Sequence, residues 1–218
     1  MAQHSKHPDD PTNPDRESDA RKGSLSAPRL LKLGFALPIL EDGDLLLYRK
    51  RFGAIAVAGR GIHSHAAMFA WWGSCPMVIE TRGVKDARAV TLESQVARYP
   101  GRIDVFKADP DYRLDYNRSG AVAEMRKMTG QRYGWLAVWR VAFHHLPFFR
   151  WLFRASTDDD DAGTLPQFCS HAFAKAARIG GGIDPVENLA DQHTEPADLA
   201  RSGAFAYRCT LLPHDEAT

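Results

Sequence analysis

Cysteine, histidine and glutamate occur in this sequence at places from which they could act together on a carbonyl group. Cys169 lies in the stretch FCSHAFAKA, where a polar loop gives way to a helical pattern. A thiol at a helix N-terminus lies close to unpaired backbone N–H groups and to the positive end of the helix dipole, and both favour the thiolate. Such a nucleophile needs an imidazole to carry a proton and a third polar group to orient that imidazole.

Two upstream segments offer the imidazole and the orienting group. His65 begins the predicted strand HAAMFAWW, and Glu80 ends the next predicted strand, PMVIE, so hairpin pairing would bring the two side chains together. His63 shares the face of His65 if the strand extends that far, which makes it an alternative base. His171 is a poor base, because a helical offset of two points it away from Cys169.

Each of these residues also has an ordinary structural interpretation. A cysteine near a helix start is often a small buried residue, and a lone strand histidine is often a satisfied core residue. The stretches HSH and CSH also contain nitrogen and sulfur donors of the types that zinc binds, so a metal site is an alternative. Against it, Cys169 and His171 on one helix do not readily converge on one ion, and the sequence has no Cys-x-x-Cys pair.

The elements that must hold these residues form a run of strands, a helical middle, the helix that begins at Cys169, and a last strand. The predicted strands are 45–48, 65–72, 76–80, 102–108 and 204–212. The predicted helices are ESQVARY, SGAVAEMRKMTG with Ser119 as N-cap and Gly130 as stop, and the segment after Cys169. This segregation of strands and helices indicates an α+β fold with an antiparallel sheet.

Length and composition favour one globular domain, 27–218, preceded by a disordered polar tail, 1–26. The 218 residues are 44% hydrophobic, which is enough for a single core, whereas the tail could not bury enough apolar surface to offset its ordering entropy. A formal net charge of +1 argues against a nucleic-acid partner. The three cysteines are far apart, which favours reduced thiols over a disulfide framework.

The sequence shows neither the apolar core of a secretory signal nor a run of about 18 uninterrupted apolar residues. We therefore expect a cytoplasmic protein, with phage-associated or specialised export as the open alternative. The aromatic-rich segment 133–153 has helical spacing typical of a core helix, which Pro147 would end. The aromatic and basic stretch 147–154 suggests a groove, a lid or a peripheral membrane contact.

Six segments occur in an order that resembles the circularly permuted NlpC-like papain-fold cysteine hydrolases, the YiiX-like amidase group. They are DGDLLLYRK, HSHAAMFAWW, MVIE, GQRYGW, FCSHAFAKA and TEPADLARSGAF, and the resemblance covers roughly residues 36 to 212. It implies a permuted papain-like, NlpC-type fold in which an antiparallel sheet packs against helices and the nucleophile begins a helix.

Carried over residue by residue, the resemblance implies Cys169 as nucleophile, His65 as base and Glu80 as the third member of a catalytic triad. The group often has Glu where this chain has His171, so the chain departs from the group at a substrate-side position. Tyr133 in GQRYGW resembles a recurring Gly-x-x-Tyr element and could line the site, or it could be buried in the core. We expect Tyr133, His63 and His171 on the substrate side.

The hypothesis from the sequence is a thiol hydrolase or acyltransferase that cleaves an amide or (thio)ester bond through an acyl-Cys169 intermediate and needs no cofactor. The expected partner is a peptide, a peptidoglycan-like substrate or an acyl or lipid-like substrate. The alternatives are a non-catalytic binding or structural module on the same fold, and a zinc-binding protein.

Overall fold

The computed structural model describes residues 28–49, 61–82, 85–110, 115–129 and 169–214. The strands in these ranges are β1 (Leu30–Lys32), β2 (Leu45–Arg49), β3 (His63–Trp72), β4 (Cys75–Arg82), β5 (Lys85–Thr91), β6 (Ile103–Ala108) and β7 (Phe205–Leu212). The α-helices are α1 (Leu33–Ala36), α2 (Leu92–Arg98), α3 (Arg118–Lys127), α4 (Cys169–Ile179) and α5 (Pro196–Arg201). Short 3₁₀ turns cover Leu37–Ile39 and Asp191–His193.

The strands form a seven-stranded sheet in the order β1-β7-β6-β2-β3-β4-β5. Neighbouring strands are antiparallel except at one edge, where β1 runs parallel to β7. The predicted α+β class is confirmed, whereas a wholly antiparallel sheet is wrong at this edge. At three residues, β1 is too short to give a strand signal in the sequence.

Two turns fix the strands that carry the candidate residues. Gly43 adopts a positive φ of 80° in the turn before β2, as the Asp42-Gly43 pair predicts. Gly73 has a φ of 62° in the short turn of the β3–β4 hairpin, whose pairing begins at Trp72 and Cys75. The hairpin predicted from the sequence is therefore present.

Helix α3 packs closely against α4. A Cβ on Gly120 would overlap the backbone of Gly180, the residue that follows α4, and one on Gly180 would overlap the backbone of Gly120. The close approach therefore requires residues without side chains at both positions. Asn117 caps α3, since its side chain accepts a 3.0 Å hydrogen bond from the N–H of Gly120. The predicted cap, Ser119, is wrong: it is the second helical residue and is exposed. The predicted stop, Gly130, lies outside the described residues.

The sheet has an apolar core on each face. The core on one face joins the sheet to α3, α4 and α5, and its members include Leu45, Leu47, Ala66, Met68, Val122, Met125, Met128, Phe173 and Leu199. The core on the other face joins the sheet to α1 and α2, and its members include Leu33, Leu46, Tyr48, Ala67, Phe69, Leu92 and Val96. Burial of the α3 stripe of Val122, Met125 and Met128 agrees with the sequence pattern.

Two further elements were not predicted from the sequence. Strand β5 extends the β3–β4 hairpin, and α5 begins with a capping box formed by Glu195 and Asp198. The tail 1–26 and the aromatic segment 133–153 lie outside the described residues. In the ranges that the structure describes, no helix is long and apolar enough to cross a membrane.

Candidate active site

Cys169 is the first residue of α4, and its side chain is buried, with 8% of the residue exposed. The backbone N–H of Ser170 donates to its sulfur, which is the contact expected of a thiol at a helix N-terminus. The Ser170 hydroxyl donates in turn to the carbonyl of Thr194, which ties the first turn of α4 to the segment before α5. The first turn of α4 is therefore held against the segment before α5.

A second backbone donor to the Cys169 sulfur comes from β3, just beyond the last residue of β3 that pairs with β4. The pairing of β3 with β4 runs from Trp72 only as far as Met68. The N–H of Phe69 donates towards Asp44, on the β2 side, so alternation along the strand points the N–H of Ala66 towards β4. That N–H lies beyond the β4 pairing and donates to the sulfur of Cys169.

His65 connects Cys169 with Glu80. Its side chain is hydrogen-bonded to the Cys169 sulfur, and its Nε2 lies 2.8 Å from Oε2 of Glu80. Because Nε2 faces Glu80, Nδ1 is the ring nitrogen left for the sulfur. The three residues that sequence reasoning selected are thus brought together, and all three are buried.

The charges of this cluster stabilise one another against the cost of burial. Burial alone would raise the pKa of the Cys169 thiol, but the charge and hydrogen bond of His65 and the N–H groups of Ala66 and Ser170 lower that pKa below its usual value. Burial alone would lower the pKa of His65, but the interactions with Cys169 and then with Glu80 raise it to about 9. Both directions favour a thiolate on Cys169 paired with an imidazolium on His65.

Two residues that sequence reasoning missed contact the histidine and the glutamate. Arg88 of β5 donates to Oε1 of Glu80 from Nη2 at 2.6 Å and from Nε at 3.1 Å. The ring of Tyr48 packs edge-on against His65, with ring centroids 5.0 Å apart. A sequence signal for Arg88 exists only indirectly, because Gly83 separates two runs of strand-forming residues and so indicates a second hairpin.

His63 does not share the face of His65, so that expectation is wrong. The β2–β3 register passes from Tyr48 opposite His65 to Arg49 opposite His63, which leaves Ser64 as an extra residue, a β-bulge. The bulge turns His63 towards the other face, where its Nε2 lies 2.8 Å from Oδ2 of Asp104. His63 therefore belongs to a different polar cluster.

That second cluster is centred on Asp104, which is buried in β6. Arg49 donates to its Oδ2 at 2.8 Å and Thr210 to its Oδ1 at 2.6 Å, in addition to the contact with His63. Burial would raise the pKa of Asp104, but these hydrogen bonds and the charge of Arg49 outweigh it and lower the pKa. The cluster links four strands, β2, β3, β6 and β7, and has a structural explanation on that ground.

The other two residues expected on the substrate side are His171 and Tyr133. His171 is buried in α4, and its pKa falls to about 4, first because of burial and then because of the charges of Lys175, Arg178 and His193. It is therefore a neutral, enclosed side chain at neutral pH. Tyr133 lies outside the described residues.

Comparison with known proteins gives a likeness of fold. No protein-family model and no curated protein matches the sequence. Among solved structures, the crystal structure of the metalloprotein YiiX from Escherichia coli O157:H7 matches with a TM-score of 0.53 and 14% sequence identity, over 79% of this chain and 98% of that chain. The chain is similar in fold to YiiX. At this identity the similarity concerns the arrangement of helices and strands alone.

Proposed function

We propose that the protein is a cysteine hydrolase or acyltransferase that cleaves an amide or (thio)ester bond through an acyl-Cys169 intermediate. The observation that carries the proposal is the position of His65, which is hydrogen-bonded to the Cys169 sulfur on one side and to Glu80 on the other. A thiolate, a proton carrier and an orienting carboxylate are the three parts that this chemistry requires.

In the first half-reaction the Cys169 thiolate attacks the carbonyl carbon and forms a carbon–sulfur bond, and the carbonyl oxygen becomes an oxyanion. The protonated His65 then gives its proton to the leaving nitrogen, oxygen or sulfur as the bond to that atom breaks. Glu80, 2.8 Å from Nε2, holds the ring in place and stabilises its positive charge before the proton leaves.

In the second half-reaction the neutral His65 removes a proton from water or from an acceptor hydroxyl, amine or thiol. That nucleophile attacks the acyl carbon, the carbon–sulfur bond breaks, and the thiolate–imidazolium pair is restored. Hydrolysis and transfer share these steps and differ only in the incoming nucleophile.

The oxyanion would form beside backbone donors. The N–H of Ala66 lies outside the β3–β4 ladder and already donates to the sulfur. When the sulfur becomes acylated its negative charge is lost, so this donor becomes available to the neighbouring oxygen. We assign Ala66 and the N-terminus of α4 to oxyanion stabilisation.

The fold supports a permuted papain-like interpretation. The histidine strand β3 and the glutamate strand β4 precede the cysteine helix α4 in the chain, as the resemblance to the permuted group implies. The fold similarity to YiiX covers 79% of the chain. Fold alone does not decide activity, so the proposal depends on the Cys169–His65–Glu80 contacts.

The alternative function is metal binding, because YiiX, which has a similar fold, is described as a metalloprotein. The donors do not fit it: within the described ranges, no group of three or more His, Cys, Asp or Glu side chains is arranged to hold a metal ion. His65 already contacts Cys169 and Glu80, and His63 contacts Asp104. Metal analysis of the purified protein tests this, and stoichiometric zinc lost in both His65→Ala and Cys169→Ala would favour the metal site.

The experiment that tests the proposed function is capture of the acyl-enzyme. The protein is incubated with p-nitrophenyl acetate, octanoate and palmitate and with a peptide p-nitroanilide, and adducts are located by peptide mass spectrometry. We expect an acyl group on Cys169 in wild type and none there in His65→Ala, with exposed Cys75 as the reference thiol. Acylation of Cys75 and Cys169 at equal rates would contradict the proposal and favour a non-catalytic binding module.

A further inference from the structure

Arg88 holds the far side of the glutamate that orients His65. Both of its contacts, from Nη2 at 2.6 Å and from Nε at 3.1 Å, go to Oε1 of Glu80, while Oε2 of the same carboxylate faces His65 at 2.8 Å. The Glu80 side chain is fully buried, and that of Arg88 is 27% exposed. The arginine is therefore the member of the cluster that lies nearest to solvent.

The β4–β5 register explains why the two side chains meet. Glu80 is directly opposite Arg88 in the antiparallel pair, so both project from the same face of the sheet. Two nitrogens of the guanidinium donate to the same oxygen, which anchors Oε1 and leaves Oε2 to face His65. The orientation of Oε2 towards His65 therefore depends on Arg88.

The charges of the cluster alternate in sign along a line of contacts. The pKa shifts favour a Cys169 thiolate and a His65 imidazolium, and the ion pair of Glu80 with Arg88 continues the alternation of anion and cation. The four groups together are neutral. Without Arg88, the three buried groups would carry one net negative charge, and a buried net charge is costly unless a proton neutralises it. The proton would be taken up by the thiolate or by the carboxylate.

We propose that Arg88 is a positioning residue that allows Cys169 and Glu80 to be anionic on either side of one imidazolium. Arg88 acts through Glu80 and does not touch the reacting atoms. This inference rests on the proposed function, because the charge state of Cys169 matters for the reaction only if that thiolate is the nucleophile.

The test measures the pH dependence of Cys169 alkylation by iodoacetamide in Arg88→Met, Arg88→Lys and wild type, which requires no substrate. Removing a nearby positive charge raises the pKa of every acid in the cluster. We therefore expect the midpoint, which is the pH at which Cys169 alkylation reaches half of its maximal rate, to rise by about one unit in Arg88→Met. Below the midpoint this means roughly tenfold slower alkylation. Arg88→Lys keeps the charge without the two-nitrogen contact, so an intermediate midpoint is expected.

Arg118→Met is the matched control. Arg118 bonds the buried carboxylate of Asp44 at 2.7 Å, and the side-chain exposures of that pair, 27% and 0%, are the same as those of Arg88 and Glu80. The Arg118→Met variant therefore removes an arginine from an equally buried ion pair at another site. We expect its alkylation profile to match wild type, even if its thermal unfolding temperature falls as far as that of Arg88→Met.

Four outcomes would overturn the inference. A low midpoint in wild type that is unchanged in Arg88→Met would refute the role of Arg88 and leave the proposed function standing. An ordinary midpoint in wild type would remove the resting ion pair, and the inference with it. Equal shifts in Arg88→Met and Arg118→Met would show a general structural effect. If Arg88→Met does not fold, circular dichroism will show it, and an unchanged midpoint in Arg88→Gln, which removes the charge but keeps a hydrogen-bond donor, would then refute the inference.

Discussion

Replacing Glu80 with Gln tests the electrostatic reasoning most directly. The substitution keeps the shape of the side chain and one oxygen that can accept from Nε2 of His65, but it removes the negative charge 2.8 Å from that nitrogen. It also leaves the cation of Arg88 close to the histidine without its anion. Both changes disfavour the imidazolium, so His65 should lose its proton at a lower pH in Glu80→Gln.

The size of the effect follows from the shift already present. The pKa of His65 rises from 6.5 to about 9 in the folded protein. At about 1.4 kcal/mol for each tenfold change in the equilibrium, this rise corresponds to roughly 3 kcal/mol of stabilisation of the charged ring. Cys169 makes the larger contribution and Glu80 the smaller one. We therefore expect the pKa of His65 in Glu80→Gln to fall by about one unit.

The measurement is a proton NMR titration of the His65 ring, assigned by comparison with His65→Ala. Asp44→Asn is the control, because Asp44 is an equally buried carboxylate paired with Arg118 and not with the histidine. A His65 titration near pH 9 in wild type that does not move in Glu80→Gln would refute the assignment of Glu80 as the group that holds the charged ring.

Three further predictions concern stability. His171 has a folded pKa of about 4 against 6.5 in the unfolded chain, so the unfolded state binds a proton first as the pH falls. Stability should then decrease from pH 6.5 to 4 by up to roughly 3 kcal/mol, and urea unfolding of His171→Phe should lose most of this decrease, whereas an unaltered pH dependence would contradict the shift. Asp104→Asn should cost about 2 to 4 kcal/mol because three donors lose their anionic acceptor, while a changed Cys169 alkylation profile in this variant would disprove the separation of the two clusters. Gly120→Ala should lower the thermal unfolding temperature, because its Cβ would overlap the backbone of Gly180, and an unchanged temperature would show that α3 can move away from α4.

The candidate site could be predicted where a residue's chemistry was marked by its local position. Cys169 was selected because it begins a helical pattern, and His65 and Glu80 because they lie at the start and end of neighbouring strands. Each of these signals involves a few adjacent residues. The β3–β4 hairpin explains why His65 meets Glu80. The contact between Cys169 and His65 joins distant parts of the chain, so local patterns did not predict it, and it was expected only from the resemblance to the permuted group.

The rest of the site depended on register, which a single sequence does not show. Ser64 looks like any strand residue, but as the extra residue of a bulge it moves His63 away from the face of His65. Arg88 was missed because its role exists only through the cross-strand pair with Glu80. The parallel β1–β7 pair was missed for a similar reason, since it joins strands far apart in the chain.

The position of β7 between β1 and β6 has a consequence for synthesis of the chain on the ribosome. Leu30 in β1 pairs with Thr210 in β7, and Asp104 in β6 also pairs with Thr210. Strand β1 must therefore wait for a strand made about 180 residues later, roughly 10 to 40 s at ordinary rates of translation. Until then the edge of β6 is open, and its unpaired N–H and C=O groups offer a template for pairing with another chain.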